Sequence, residues 1–319
     1  MIGLWHKKSK LSFLFVTGII VLCVSFLIVS CGKGPKRKAA DTDKGPFAID
    51  FSLAPEGKEA NVISTNKKIP SMEGKELTIE VWVKNRTNDT NGAMLNGGIF
   101  GRKDTFGGGF TLYVKNNVPK FSITNNIPGV TSTSGVSSTE DHIVSSGVSL
   151  VREVWTHIAG VLTREDQSSG PEDCATAGKE EPHLAIYVDG ELKNCASTGS
   201  KYADEPGTKV LDAGLANMPL EDPLEGSKRL DAAIDEVRFW TIARTQDQIE
   251  ECMNTELSFE GGGNCVISSF LITYWRLNEG EGPDVRDFSG NGSNGSGEVG
   301  LDLWDGGWVD GVPTLIRAD

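Results

Sequence analysis

Three carboxylates crowd one short run of the chain: Asp231, Asp235 and Glu236 in DAAIDEVRFW. A charge within an apolar strand must be compensated. For Asp235 that means either a metal ion or a turn-capping hydrogen bond, and Asp50, in FAIDF, is a second candidate ligand of the same kind. His142, His157 and His183 stand in three unlike contexts, which is not the pattern of a zinc triad. His157 sits in a mostly apolar strand and reads as a hydrogen-bonded core residue. The sequence holds no G-x-S-x-G elbow, no H-E-x-x-H helix and no phosphate-binding P-loop.

The elements that would position these groups are short strands. WTHIAGVLTR, from Trp155, has strand periodicity with little charge on either face and reads as a central strand. Leu184 to Val188 is apolar and β-prone and ends in Asp189-Gly190, the dipeptide of a tight type I′ turn, so Glu191 to Cys195 is the returning strand. That hairpin brings Cys195 back beside the loop carrying Cys174, and a disulfide between them would staple the 164–183 excursion to the sheet edge. Cys252 and Cys265 flank a glycine-rich loop and form the second expected pair by proximity, with other connectivities left open by the sequence. Leu77 to Lys84 alternates Ile79, Val81 and Val83 inward with Glu80, Trp82 and Lys84 outward, the pattern of a half-buried strand. Phe110 to Lys115 and Lys120 to Thr124 form a hairpin across Asn116-Asn117. Thr245 and Gln248 make a capping box, which predicts a short helix from there to near Asn254. Pro128 to Ser149 and Ser197 to Leu230 lack a hydrophobic period and read as long loops, the first a candidate ligand-facing loop with Asp141 and His142 near its middle.

The chain of 319 residues carries 38 glycines and a formal charge of −13. Length and glycine content favour one large β-sandwich or two small domains. An acidic surface repels phosphate backbones, which argues against nucleic acid as a partner. Residues 1–30 are different: Lys7, Lys8 and Lys10 precede an uncharged apolar run from Leu11 to Ser30, the layout of an export signal. Its end, Leu27-Ile28-Val29-Ser30-Cys31, resembles a bacterial lipobox, which implies lipidation at Cys31. An uncleaved transmembrane anchor is the rival, since about 20 apolar residues also span a bilayer. Removing residues 1–30 would take the formal charge from −13 to −16. Residues 31–46 are rich in Lys, Gly, Pro and Asp and read as a disordered tether to a domain at 47–319. Either anchor places that domain in the cell envelope, facing periplasm or exterior.

W-T-H-I-A-G-V followed by L-A-I-Y-V-D-G-E-L resembles the central hairpin of LamG-like domains, in the concanavalin A-like lectin/glucanase superfamily. FAIDF and LTIEVWVK resemble that family's opening strands. The run I-D-E-V-R-F-W-x-x-A-R-T-Q-x-Q-I resembles its most recognisable signature, a late strand leading into one helical turn. ITYWRLNEGEGPDVRDFSGNGSNGSG, from Ile272, resembles its closing segment and occurs once. The resemblance implies an all-β, two-sheet antiparallel jelly-roll sandwich with one short helix. It also implies calcium, which many such domains bind, with Asp235 and Asp50 as the ligands expected here.

Glucanases of that superfamily carry E-x-D-x-x-E on one strand, and Asp231, Asp235 and Glu236 do not have that register. The expected function is therefore a non-catalytic module binding carbohydrate or an extracellular protein. A glycan-cleaving enzyme with displaced carboxylates and a structural envelope lipoprotein are the alternatives. Sugar sites use aromatic platforms beside polar groups, and Tyr202, Trp304 and Trp308 are the candidates.

Overall fold

The computed structural model describes residues 46–53, 63–65, 76–88, 92–103, 109–131, 137–163, 183–198, 214–215, 230–260, 263–282, 284–297 and 307–313. The chain divides into two units, Met1–Thr42 and Asp43–Asp319, and every described residue belongs to the second. The expected export signal, Cys31, Cys174, Tyr202 and Trp304 lie outside the described residues.

The alternation in LTIEVWVKN makes it a strand, β3 (Leu77–Asn85), preceded by β1 (Phe47–Asp50), a 3-10 turn (Phe51–Leu53) and β2 (Ile63–Thr65). After it come β4 (Gly97–Lys103), β5 (Gly109–Lys115), β6 (Val118–Thr131), β7 (Ser137–Ser145), β8 (Trp155–Thr163), β9 (His183–Val188) and β10 (Glu191–Ser197). Then follow β11 (Gly214–Leu215), β12 (Ala232–Trp240), the helix α1 (Gln246–Cys252), β13 (Leu271–Trp275), β14 (Asp284–Val285), β15 (Gly295–Gly297) and β16 (Trp308–Asp310). These strands make two antiparallel sheets. The first runs β10-β9-β8-β3-β12-β1-β16, with β13 also beside β12, and the second runs β14-β15-β2-β11-β4-β5-β6-β7. This is the expected sandwich with its one short helix.

Turn chemistry sets the hairpins. Asn116 and Asn117 have φ of 54° and 66°, and Asp189 and Gly190 have 52° and 79°, the paired left-handed angles that match the twist of the flanking strands. The capping box is present: the Thr245 hydroxyl accepts from the Gln248 amide and the Gln248 side chain accepts from the Thr245 amide.

The core lies between the sheets, where Ile79, Val81 and Val83 meet Phe100, Leu112 and Phe121. Phe100 is its hub, with ring centroids of Phe239, Trp275 and Phe110 at 5.8, 6.1 and 6.5 Å. Burying each such side chain stabilises by roughly 1.5–3 kcal/mol. Gly160, on β8, leaves room for the Phe121 ring: a Cβ there would stand 2.6 Å from Phe121 Cγ.

Two expectations are corrected. Much of Pro128–Ser149 is strand, because β6 continues to Thr131 and pairs with β7 (Ser137–Ser145), placing His142 opposite Ile123. β7 is the edge strand of the second sheet, and an edge strand tolerates the polar Ser/Thr pattern that hid it. Nor is β3 half-buried: Glu80 and Trp82 are buried as well. A second layer, α1 and the segment that follows it, covers the outward side of the first sheet.

Candidate functional site

The signature run lies on β12, and its behaviour follows from a change of neighbours along that strand. β1 pairs with Ala233 and Ile234, whereas β13 pairs with Val237 to Trp240. At the exchange the register against β3 shifts between Asp235 and Arg238, and Glu236 adopts φ of 54°, a left-handed conformation uncommon for a residue with a Cβ.

Asp235, on one side of this bulge, is fully buried. Its Oδ1 accepts from the Glu236 amide at 2.9 Å and its Oδ2 from the Val312 amide at 3.0 Å, tying down the segment after β16. Asp50 accepts from the Ser52 amide and hydroxyl on Oδ1 and from Arg86 Nε, at 2.7 Å, on Oδ2. Both carboxylates thus face N–H donors, and Asp50 faces a guanidinium as well. The two expected metal ligands act here as backbone and arginine acceptors. Among the described residues no three His, Cys, Asp or Glu side chains gather as a metal site.

Glu236, Arg238 and Arg244 point into a buried ionic layer beneath α1. Arg244 Nη1 holds Glu80 Oε1 at 2.5 Å, while Arg238 Nη1 and His157 Nε2 lie 3.8 and 3.7 Å from Glu80 Oε2. Arg238 Nη2 donates to Glu236 Oε2 at 2.8 Å, which also accepts the Tyr274 hydroxyl at 2.8 Å. The same arginines reach the covering layer. Arg238 donates to the carbonyls of Cys252 and Thr255, Arg244 to those of Gln248 and Asn264, and Trp82 Nε1 to that of Met253. Several of these carbonyls belong to the last turn of α1 or follow it, where the helix presents its negative end to cations. Cys252 and Cys265 are joined by a disulfide that closes this layer, with Cα atoms 5.2 Å apart. Cys195 is also disulfide-bonded, to a partner outside the described residues.

Burial dominates the titration of this layer. It pushes Glu236 up, against the pull of Arg238, and with Glu236 nearby it pushes the Tyr274 phenol up as well. It would also raise Glu80, but Arg244, Arg238 and His157 together hold that carboxyl below its ordinary value. His157 is driven down to about 4 by burial despite the pull of Glu80, so at neutral pH it is uncharged and its contact with Glu80 is not an ion pair. A closed, arginine-neutralised layer of this kind positions the outer cover; its carboxylates offer no access to a substrate. Asp231, at the start of β12, is half-buried, and its carbonyl accepts from the Arg86 amide.

Surface is the other resource for recognition. Trp308, the one expected platform among the described residues, is half-buried against the core, and its Nε1 donates to the Gly282 carbonyl at 3.3 Å. The exposed large apolar side chains of the described residues fall into two groups. Leu53, Met94, Val148, Val151 and Val154 lie at one end of the sandwich. Asn85, Asn117, Arg86 and Glu153 tie that end together: Asn117 Oδ1 accepts from the Leu95 amide, the Glu153 amide donates to the Asn85 carbonyl, and Arg86 joins Glu153 to Asp50. The second group is aromatic, Phe259 and Phe270, on the layer outside the first sheet.

Sequence reading missed the ionic layer and both surface groups. Glu80 had a visible signal, a charge set between Ile79 and Val81 with two arginines in the signature run. The surface groups had none, because an isolated Val or Phe reads as core.

With two sheets, the bulged signature strand and its helix in view, the family follows. The chain belongs to the concanavalin A-like lectin/glucanases superfamily, whose Laminin_G_3 model matches residues 56–250. No curated protein matches it. Among solved structures it is similar to a "putative carbohydrate binding protein" from Bacteroides ovatus, at 17% identity over 82% of this chain and 62% of that one, TM-score 0.48. It is also similar to a heptameric SAP-like pentraxin from Limulus polyphemus (14%; 64% and 80%; 0.41) and to domains LG4-5 of the mouse laminin alpha1 chain (11%; 63% and 44%; 0.40).

Proposed function

We propose that the chain is an exported, membrane-anchored lipoprotein whose sandwich is a non-catalytic recognition module for carbohydrate or an extracellular protein. One observation carries the non-catalytic part: the carboxylates of the signature strand are consumed internally. Glycoside hydrolysis needs an acid and a second carboxylate open to the sugar on both sides of the scissile bond. Asp235 instead caps backbone amides, and Glu236 is shut beneath α1 with Arg238 and Tyr274. Binding requires no such pair. Anchoring rests on the sequence, where the apolar run ends at Cys31.

Residues 43–319 contain every element described, so that fragment, displayed on glycan and secreted-protein arrays with and without EDTA, tests the module. Reproducible capture of a glycan or a protein is the expected result, and the EDTA arm reports whether calcium contributes. Blank arrays from folded protein would overturn the reading, as would hydrolysis of a polysaccharide abolished in D231A, D235A or E236A. Cys31→Ser in the full chain is expected to abolish incorporation of labelled fatty acid.

A further inference from the structure

We infer that Phe259, Phe270 and the turn between them form a stacking site for neutral sugar rings. This rests on the recognition reading above and gives it a place and a ligand chemistry. Phe259 is 62% and Phe270 50% exposed, and they are the only large exposed aromatic side chains among the described residues. The other exposed apolar group is aliphatic and lies elsewhere.

The Phe259 ring and the backbone that follows Phe270 both meet the turn 289–292. The Phe259 ring lies 3.5 Å from where a Cβ on Gly290 would stand. Phe270 directly precedes Leu271, whose carbonyl accepts from Asn291 Nδ2 at 2.7 Å. Gly290 and Gly292 have φ of 87° and 72°, and a Cβ on Gly292 would meet nothing within 4 Å. At Gly290 and Gly292 the turn carries no side chain, which leaves its backbone open to close approach beside the Phe259 ring.

The site is also rigid before any ligand arrives. Asp287 accepts from the amides of Tyr274, Ser289 and Ser293, and the Ser289 hydroxyl reaches the Ile272 carbonyl. The Phe270 amide donates to Ser268 Oγ, and its carbonyl accepts from Thr241. On the other side Ser258 Oγ donates to the Glu260 carbonyl, Ile267 bonds back to Ser258, and the Cys252–Cys265 disulfide closes the segment. Rings held on fixed backbone lose little freedom when they bind.

Charge decides the ligand class. Arg276 and Arg286 stand over the Phe288 ring at 4.3 and 5.0 Å, engaged in holding that inner aromatic. Glu260, next to Phe259 in the chain, is exposed, on a chain of formal charge −13. That net charge disfavours uronic-acid and sulfated polymers. A neutral pyranose presents an apolar C–H face to the negative face of an aromatic ring and hydroxyls to the surrounding amides.

The test is titration of the 43–319 fragment with cellohexaose, xylohexaose, mannohexaose and maltohexaose by calorimetry, with polygalacturonate and heparin as anionic probes. At least one neutral hexasaccharide is expected to bind. Phe259→Ala and Phe270→Ala should each weaken it about tenfold, on the scale of aromatic stacking, while Val151→Ser leaves it unchanged. All three variants should keep the wild-type melting temperature, because the side chains are exposed. Binding that both Phe variants retain, or binding of the anionic probes alone, would overturn this site and leave the recognition reading standing. No sugar bound but a protein captured on the arrays would have the same consequence. Failure of every sugar and every array would remove both.

Discussion

Replacing Arg244 with methionine tests whether the ionic layer holds the outer cover in place. Arg244 supplies the 2.5 Å contact to Glu80 and two bonds to the carbonyls of Gln248 and Asn264. Glu80 and Arg244 are both buried, so the substitution leaves a desolvated carboxylate with only the 3.8 Å contact to Arg238 and the neutral His157. Breaking one partner from a buried pair costs about 3–5 kcal/mol, mostly through the charge left behind. That is a large part of the roughly 5–15 kcal/mol by which domains are stable. With a urea slope of about 3 kcal/mol per M, the unfolding midpoint of the 43–319 fragment should fall by about 1–2 M. Removing the stranded charge should then repair the loss, so E80Q in the R244M background is expected to recover more than half of it. The reasoning fails if R244M lies within about 1 kcal/mol of wild type, or if the double variant is as unstable as the sum of the single ones.

Acid should destabilise the fold through His157. The folded imidazole titrates at about 4 against 6.5 when exposed, so between these values the unfolded chain binds more protons and stability falls as the pH is lowered. The contribution is complete above pH 6.5 and about 3 kcal/mol is lost by pH 4; Glu80, also held low, adds to the loss further down. Urea midpoints measured from pH 8 to 4 should show this slope, and His157→Gln should flatten it. Gly160→Ala drives a methyl into the Phe121 ring and is expected to cost about 1–3 kcal/mol in a melting experiment. Cys252→Ser with Cys265→Ser opens a loop of sequence separation 13 and should cost up to about 3 kcal/mol, with exchange of the amides of 252–268 quickening before that of β8.

Local chemistry made much of the sandwich legible. Asn116-Asn117 and Asp189-Gly190 each mark a turn that only left-handed angles close, and Thr245 with Gln248 marks the helix start. Alternation was equally sound for the inner side of β3. It misled on the outer side, because the residues that cover Glu80 and Trp82 lie more than 160 positions later in the chain, and no local pattern announces them. The same distance explains Asp235. Its buried charge was visible, but its acceptor role depends on Val312, brought alongside only by the pairing of β1 with β12 and β16. β7 was hidden for a different reason, since a polar edge strand and a polar loop share one composition.

The position of β1 also decides how the domain answers mechanical force. β1 lies between β12 and β16, antiparallel to both, and Pro46 at its entrance accepts from the Gly311 amide. A pull directed along β1 loads its bonds to both neighbours together in shear instead of peeling them in succession. The Asp235–Val312 bond fixes the segment after β16 against the same pull, which makes this one of the better clamped parts of the sheet.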